Sequence, residues 1–134
     1  MKIDGACHCG KIAFEAEIDL EDVKICHCSD CQTLSASAFR TVAPTLPGAF
    51  TLLRGEPKIY VKVAESGNHR EQAFCGDCGA GLYAATVGGG ERVYNLRVGA
   101  VTQRDQLIPT MQVWHRSAQP WLAELAQIEK VAKQ

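Results

Sequence analysis

Seven cysteines fall into three tight clusters: Cys7-His8-Cys9, Cys26-His27-Cys28-Ser29-Asp30-Cys31 and Cys75-Gly76-Asp77-Cys78. An isolated cysteine behaves as a small hydrophobe and needs no neighbours of its own kind. Seven of them at spacings of two and three residues are arranged to hold something. The odd count leaves one thiol over in any fully paired disulfide framework. Two zinc ions fit the count better, one held by four thiolates and one by three. Four thiolates close a structural site, whereas three protein ligands leave a position open for chemistry. The spacing thus predicts two zinc ions per chain, one structural and one working.

Cys75 and Cys78, with glycines allowing tight curvature, have the form of a zinc knuckle. Cys7 and Cys9, followed by Gly10, are the natural second pair. In an extended chain residues i and i+2 point to one side, about 6 to 7 Å apart at Cα, so side-chain rotation can bring both sulfurs to one metal. A Cys75–Cys78 disulfide and metal-free redox chemistry are the alternatives. The redox motif usually opens a helix in a βαβ unit, and Gly79-Ala80-Gly81 speaks against a helix there. Cys26, Cys28 and Cys31 form the remaining trio, with a helical turn capped by Ser29 folding Cys31 back towards the other two. Its fourth position falls to water, a substrate thiolate or another protein group. His8 and His27 alternate with cysteines and are expected to face away from the metals. His69, in a polar turn, is expected to be exposed, and His115 either lines the substrate site or packs. An open, thiolate-rich zinc suits thiol chemistry, because a soft metal stabilises an incoming sulfur as the nucleophilic thiolate.

With 134 residues the chain is expected to form one domain. Its net charge of −1 and the lack of a basic run argue against nucleic acid as a partner. No apolar stretch approaches the roughly 20 residues of a membrane helix. The start, Met1 to Gly5, lacks the apolar core of a signal peptide. A reducing, cytoplasmic location is therefore expected, where clustered cysteines more often mean metal than disulfides.

Lys11 to Ile18 alternates as a half-buried strand, with Ile12, Phe14, Ala16 and Ile18 on one face. Asp19 to Asp22 follows as an acidic turn. Ala38 to Ala43 reads as a strand stopped by Pro44 and Pro47-Gly48. Phe50 to Leu53 and Lys58 to Val63 look paired across an Arg54-Gly55-Glu56-Pro57 turn. Gln72 to Phe74, Gly81 to Val87, Arg92 to Val98 and Met111 to His115 are further strand candidates. Pro120 opens a helix, predicted over 120–133, in which Trp121, Leu125, Ile128 and Ala132 recur at helical spacing and pack over a sheet.

The segments Gly5-Ala6-Cys7-His8-Cys9-Gly10, Cys26-His27-Cys28-Ser29-Asp30-Cys31-Gln32 and Phe74-Cys75-Gly76-Asp77-Cys78-Gly79 resemble the glutathione-dependent formaldehyde-activating enzyme family, which includes the centromere protein V domain. The resemblance runs from about residue 3 to about residue 121 and takes in Trp114-His115 and Trp121. It implies a mainly β, Mss4-like fold of small coiled sheets around two zinc sites. It also implies a structural zinc on Cys7, Cys9, Cys75 and Cys78 and a catalytic zinc on Cys26, Cys28 and Cys31. The implied activity is that of a carbon–sulfur lyase, condensing formaldehyde reversibly with glutathione to S-hydroxymethylglutathione. Arg40, Arg54, Arg70, Arg97 and Arg116 are candidates for the thiol's carboxylates, and Asp30 and His27 stand nearest the working metal in the chain. The alternative is a non-enzymatic zinc domain that binds a thiol ligand or a partner protein. Oligomeric state has no signature in this sequence.

Overall fold

The alternating segment near the N-terminus becomes one arm of the first hairpin. In the computed structural model, which describes Met1 to Gln134, β1 (Lys2–Ala6) pairs antiparallel with β2 (Ala13–Ile18). Phe14, Ala16 and Ile18 are buried and Glu15 is exposed, as the period of two requires. Gly5 lies opposite Phe14, and a Cβ there would stand 2.4 Å from both the Phe14 ring and the Ala100 carbonyl. Only glycine fits that approach.

The chain then crosses a short 3-10 turn (Leu20–Asp22) capped by Asp19 into β3 (Lys24–Cys26) and α1 (Ser29–Ser35). The cap of α1 is Cys28, whose sulfur accepts from the Cys31 N–H at 3.3 Å; Ser29, expected as the cap, is the first helical residue. A thiol of the trio has taken the cap position.

β4 (Arg40–Arg54) is the joint of the molecule. Its first half pairs with β3 and with β8 (Asn95–Arg97), and its second half pairs with β2. Pro44 and Pro47 do not stop it, contrary to the expectation from composition. The register slips between Ala16 and Ile18, opposite Phe50 and Thr45, so residues 46–49 bulge out of the ladder there. Gly48 takes a φ of 71° within that bulge. Pro47 falls where the ladder is interrupted, a place that tolerates proline, whereas Pro44 stands paired opposite Asn95.

β5 (Lys58–Val63), β6 (His69–Phe74) and β7 (Gly81–Thr86) form a meander, joined through β7 to β8. The strand order is β1-β2-β4-β8-β7-β6-β5, so β5 is an edge strand paired with β6 and does not form the expected hairpin with β4. β3 is flanked on its other side by a parallel partner, β9 (Met111–Val113). One cluster of 17 buried residues forms the core, and Cys7 and Cys75 are part of it. The result is a mainly β, Mss4-like arrangement of coiled sheets around cysteine clusters.

Helix is confined to α1 and short 3-10 segments. The C-terminal helical segment spans Pro120–Gln127, is 3-10 in character and buries none of its residues. The stretch predicted over 120–133 is therefore shorter, and Trp121, Leu125 and Ile128 stay about half exposed rather than packing on a sheet. Eight residues without a buried face lack the tertiary contacts that usually stabilise a helix. No helix is long and apolar enough to cross a membrane.

Candidate metal centres

Two hairpin tips build the first cluster. The β1–β2 tip carries Cys7 and Cys9, and the β6–β7 tip carries Cys75 and Cys78. Each tip is closed by a glycine N–H that bonds back to its first cysteine. Gly10 N–H donates to the Cys7 carbonyl at 3.0 Å and Gly79 N–H to the Cys75 carbonyl at 2.9 Å. Gly10 and Gly79 take φ values of 78° and 75°, the left-handed conformation that glycine adopts without strain. Cys7 and Cys9 thus converge through a turn and not along an extended strand, the geometry first expected of them.

All four sulfurs lie within 4.8 Å of one another. Cys7 Sγ and Cys9 Sγ are 3.6 Å apart, and Cys9 Sγ and Cys75 Sγ are 3.8 Å apart. Four sulfurs each about 2.3 Å from one ion stand about 3.8 Å apart, so the spacing fits a tetrahedral metal. Backbone N–H groups point at the sulfurs: Ile12 N–H donates to Cys7 Sγ at 3.3 Å. The Ala80 and Cys9 N–H groups push the Cys78 thiol down to about 6. Such donors favour the thiolate form that a metal requires.

The second cluster sits where β3 runs into α1. Cys26, Cys28 and Cys31 bring three sulfurs within 4.8 Å of one another, with Cys26 buried and the other two half-buried. A hydrogen bond from the Cys31 thiol, opposed by burial and assisted by the Cys28 N–H, pushes the Cys26 thiol down to about 5. Cys31 moves the other way, because it holds the shared proton. All seven cysteines are free thiols, and the two clusters could each bind a metal ion.

The histidines stay outside both sulfur sets. His8 is exposed. His27 is buried, and its Nε2 lies 2.7 Å from Gln112 Oε1 on β9. His115, in a 3-10 turn after Trp114, sets its ring edge-on to that of His27 at 5.6 Å. His69 is exposed, but at the start of β6 and not in a turn. Asp30 pairs with Lys62 at 2.7 Å.

The arginines separate into two groups. Arg54 donates to the Gly10 carbonyl at 2.9 Å, Arg70 to Thr86 Oγ1 at 2.6 Å, and Arg116 lies over the Trp114 ring. Arg40 and Arg97 instead line a cavity of about 520 Å3 with Leu34, Tyr60, Gln72 and Gly79. Arg40 is the direct cross-strand partner of Cys26.

Gln32 is the residue that spacing alone does not single out. Its Nε2 donates to the His27 carbonyl at 2.7 Å and to the Ser117 carbonyl at 2.9 Å. Its Oε1 accepts from Gln119 Nε2 at 2.8 Å. It therefore ties the metal loop to a segment far along the chain. Its only trace in the sequence is its place directly after Cys31.

A crystal structure of a Rhodobacter sphaeroides protein superposes with a TM-score of 0.60 at 22% identity, over 82% of this chain and 99% of that one, and so shares the fold. No curated relative matches. The family model described as glutathione-dependent formaldehyde-activating enzyme matches residues 2–117, a span that contains every cysteine and both sulfur clusters, and the chain belongs to that family.

Proposed function

We propose that this chain is a zinc-dependent carbon–sulfur lyase that adds a glutathione-like thiol reversibly to formaldehyde or a similar small aldehyde. The observation that carries the reading is the difference between the two clusters. One offers four sulfurs, a full tetrahedral set; the other offers three, two of them only half-buried. In this reading Cys7, Cys9, Cys75 and Cys78 hold a structural zinc and Cys26, Cys28 and Cys31 a catalytic one. A zinc ion bound by the trio supplies a soft Lewis acid that keeps an incoming thiol ionised near neutral pH. The protein's own part is positional. Cys28 and Cys31, half-buried at the start of α1, leave an approach for the ligand, while Gln32 and the His27–Gln112 contact fix the loop that carries them. Holding thiol and carbonyl together would supply much of any acceleration. The family's description supplies the identities of thiol and aldehyde, and a reducing, cytoplasmic location suits seven free thiols.

One observation favours a second reading, a non-enzymatic zinc domain that binds a thiol. The two polar groups nearest the trio in the chain are largely engaged: Asp30 pairs with Lys62 and His27 Nε2 with Gln112, which leaves only the buried His27 Nδ1 without a partner. Glutathione and S-methylglutathione separate the readings. Glutathione is expected to bind the zinc-loaded protein far more tightly than the thioether, which cannot ionise, and to exchange with formaldehyde faster in exchange NMR at catalytic protein concentration. Binding without faster exchange would leave the binding module; equal binding of thiol and thioether would remove the metal from ligand recognition.

A further inference from the structure

The cavity beside the trio has the marks of an anion subsite. Cys26 stands directly opposite Arg40 in the β3–β4 register, and Arg97 stands opposite Val42, two residues further along β4. Directly opposed residues leave a sheet on one face, and so do residues two apart. Cys26, Arg40 and Arg97 therefore share a face. Gln72 is opposite both Tyr60 and Ala84, and Ala84 is opposite Asn95, so Gln72 and Tyr60 join that face too. Leu34, three residues beyond Cys31 and on the same side of α1, closes the cavity above it. Its volume of about 520 Å3 lies within the range of small-molecule sites.

Charge in this cavity is unbalanced. Five ion pairs occur in the molecule, and neither Arg40 nor Arg97 is in any of them. The acceptor facing Arg97 is neutral: its Nη2 donates to Gln72 Oε1 at 2.7 Å. Burial, followed by the neighbouring Arg40 charge, pulls the Arg97 guanidinium down to about 9, against the attraction of Cys31 and Cys26. A partly buried cation beside a second cation, without a carboxylate, favours the entry of an anion. Cys26 of the trio is on the same face, so a thiol reaching those sulfurs would carry its own acidic groups past both arginines.

We infer that Arg40 and Arg97 form the subsite for a carboxylate of the thiol ligand, which makes the site selective for acidic thiols over neutral ones. The inference rests on the thiol reading above, and deepens it by naming what recognises the part of the ligand remote from sulfur. Guanidinium forks suit carboxylates, which they can hold through two parallel hydrogen bonds.

Four ligands test the two ideas independently: glutathione, its dimethyl ester, S-methylglutathione and the dimethyl ester of S-methylglutathione. Each is titrated into zinc-loaded protein by calorimetry and ligand-observed NMR. The acid-to-ester affinity ratio reads the arginine subsite, and the thiol-to-thioether ratio reads the metal. The acid is expected to bind about ten- to a hundredfold more tightly than the ester in both pairs, the size of a charge-assisted hydrogen-bond set. Arg97→Gln and Arg40→Gln should each pull that ratio towards one and leave ester binding unchanged, while Arg97→Lys keeps part of it. Zinc content equal to the parent protein's verifies each variant. Should Arg97→Gln fail to fold, the half-exposed Arg40→Gln carries the test. A ratio near one in the parent protein, a ratio unchanged in the variants, an equal loss of acid and ester, or no binding of any of the four overturns the subsite. A thiol-to-thioether ratio of one with the acid preference intact overturns only the metal reading.

Discussion

Gln32 shows how much a single side chain can hold. Three hydrogen bonds from one amide connect the His27 carbonyl, the Ser117 carbonyl and the Gln119 side chain. Gln32→Leu would leave the two backbone carbonyls without that donor, at a cost of about 1 to 3 kcal/mol for each group that stays dry. Residues that orient metal ligands commonly change metal affinity by about ten- to a hundredfold. The variant is therefore expected to fold, to melt at lower temperature and to lose zinc from the trio first, which elemental analysis after mild dialysis would check. The cysteines themselves are expected to differ. Cys31→Ser should leave a folded protein short of one metal, whereas Cys75→Ser should unfold or aggregate it, because Cys75 is a buried core residue as well as a member of the four-sulfur set. Thermal melts that rank Cys31→Ser as the more damaging change would reverse the two roles. The cysteine clusters were legible in the sequence because their spacings of two and three residues are local. Gln32 was not, because two of its three partners lie 85 and 87 residues away and no local pattern records such a contact.

At the scale of elements, patterns that depend on local chemistry carried over and those that depend on pairing did not. The alternation of β2 and the limits of β5, Lys58–Val63, follow from side-chain type. The partner of β5 does not, since Arg54-Gly55-Glu56-Pro57 has the composition of a hairpin turn yet leads the chain away from β4 to the far edge of the sheet. The prolines of β4 misled for a similar reason. A proline ends a strand only where a ladder bond is required; the bulge at residues 46–49 requires none of Pro47, and Pro44 keeps its place opposite Asn95 of β8 without an N–H to give. The C-terminal stripe has the converse problem: Trp121, Leu125 and Ile128 have helical spacing but no surface to meet. Stripe and partner are separate facts, and only the stripe is written locally. Deleting residues 120–134 is accordingly expected to lower the melting temperature by no more than about 3 °C, since little apolar area is lost. Gln119 must be retained for its bond to Gln32. A drop of about 10 °C in calorimetry would mean that the segment packs in solution.

For the whole molecule, the two sulfur clusters differ most in how much chain they tie together. Cys9 and Cys75 are 66 residues apart and belong to hairpins at separate places in the sheet order. A crosslink closing a loop of that length removes about 4 kcal/mol of unfolded-chain entropy, against about 2 kcal/mol for a six-residue loop such as the one from Cys26 to Cys31. Metal-binding energy adds to folding energy in either case, but the four-sulfur set also holds core residues Cys7 and Cys75 in place. A small domain stands only about 5 to 15 kcal/mol above its unfolded state, so losing the long tie would consume much of that margin and losing the short one would not. Zinc-loaded protein titrated with a chromogenic chelator is therefore expected to release its metal in two steps of one equivalent each. The first, from the trio, should leave the far-ultraviolet dichroism of the sheet intact and slow thiol-dependent exchange. The second should coincide with loss of the sheet signal. A first step that already unfolds the protein, or a single step releasing both ions together, would show that the trio carries the fold as well, and would remove the division into structural and catalytic sites on which the proposed chemistry depends.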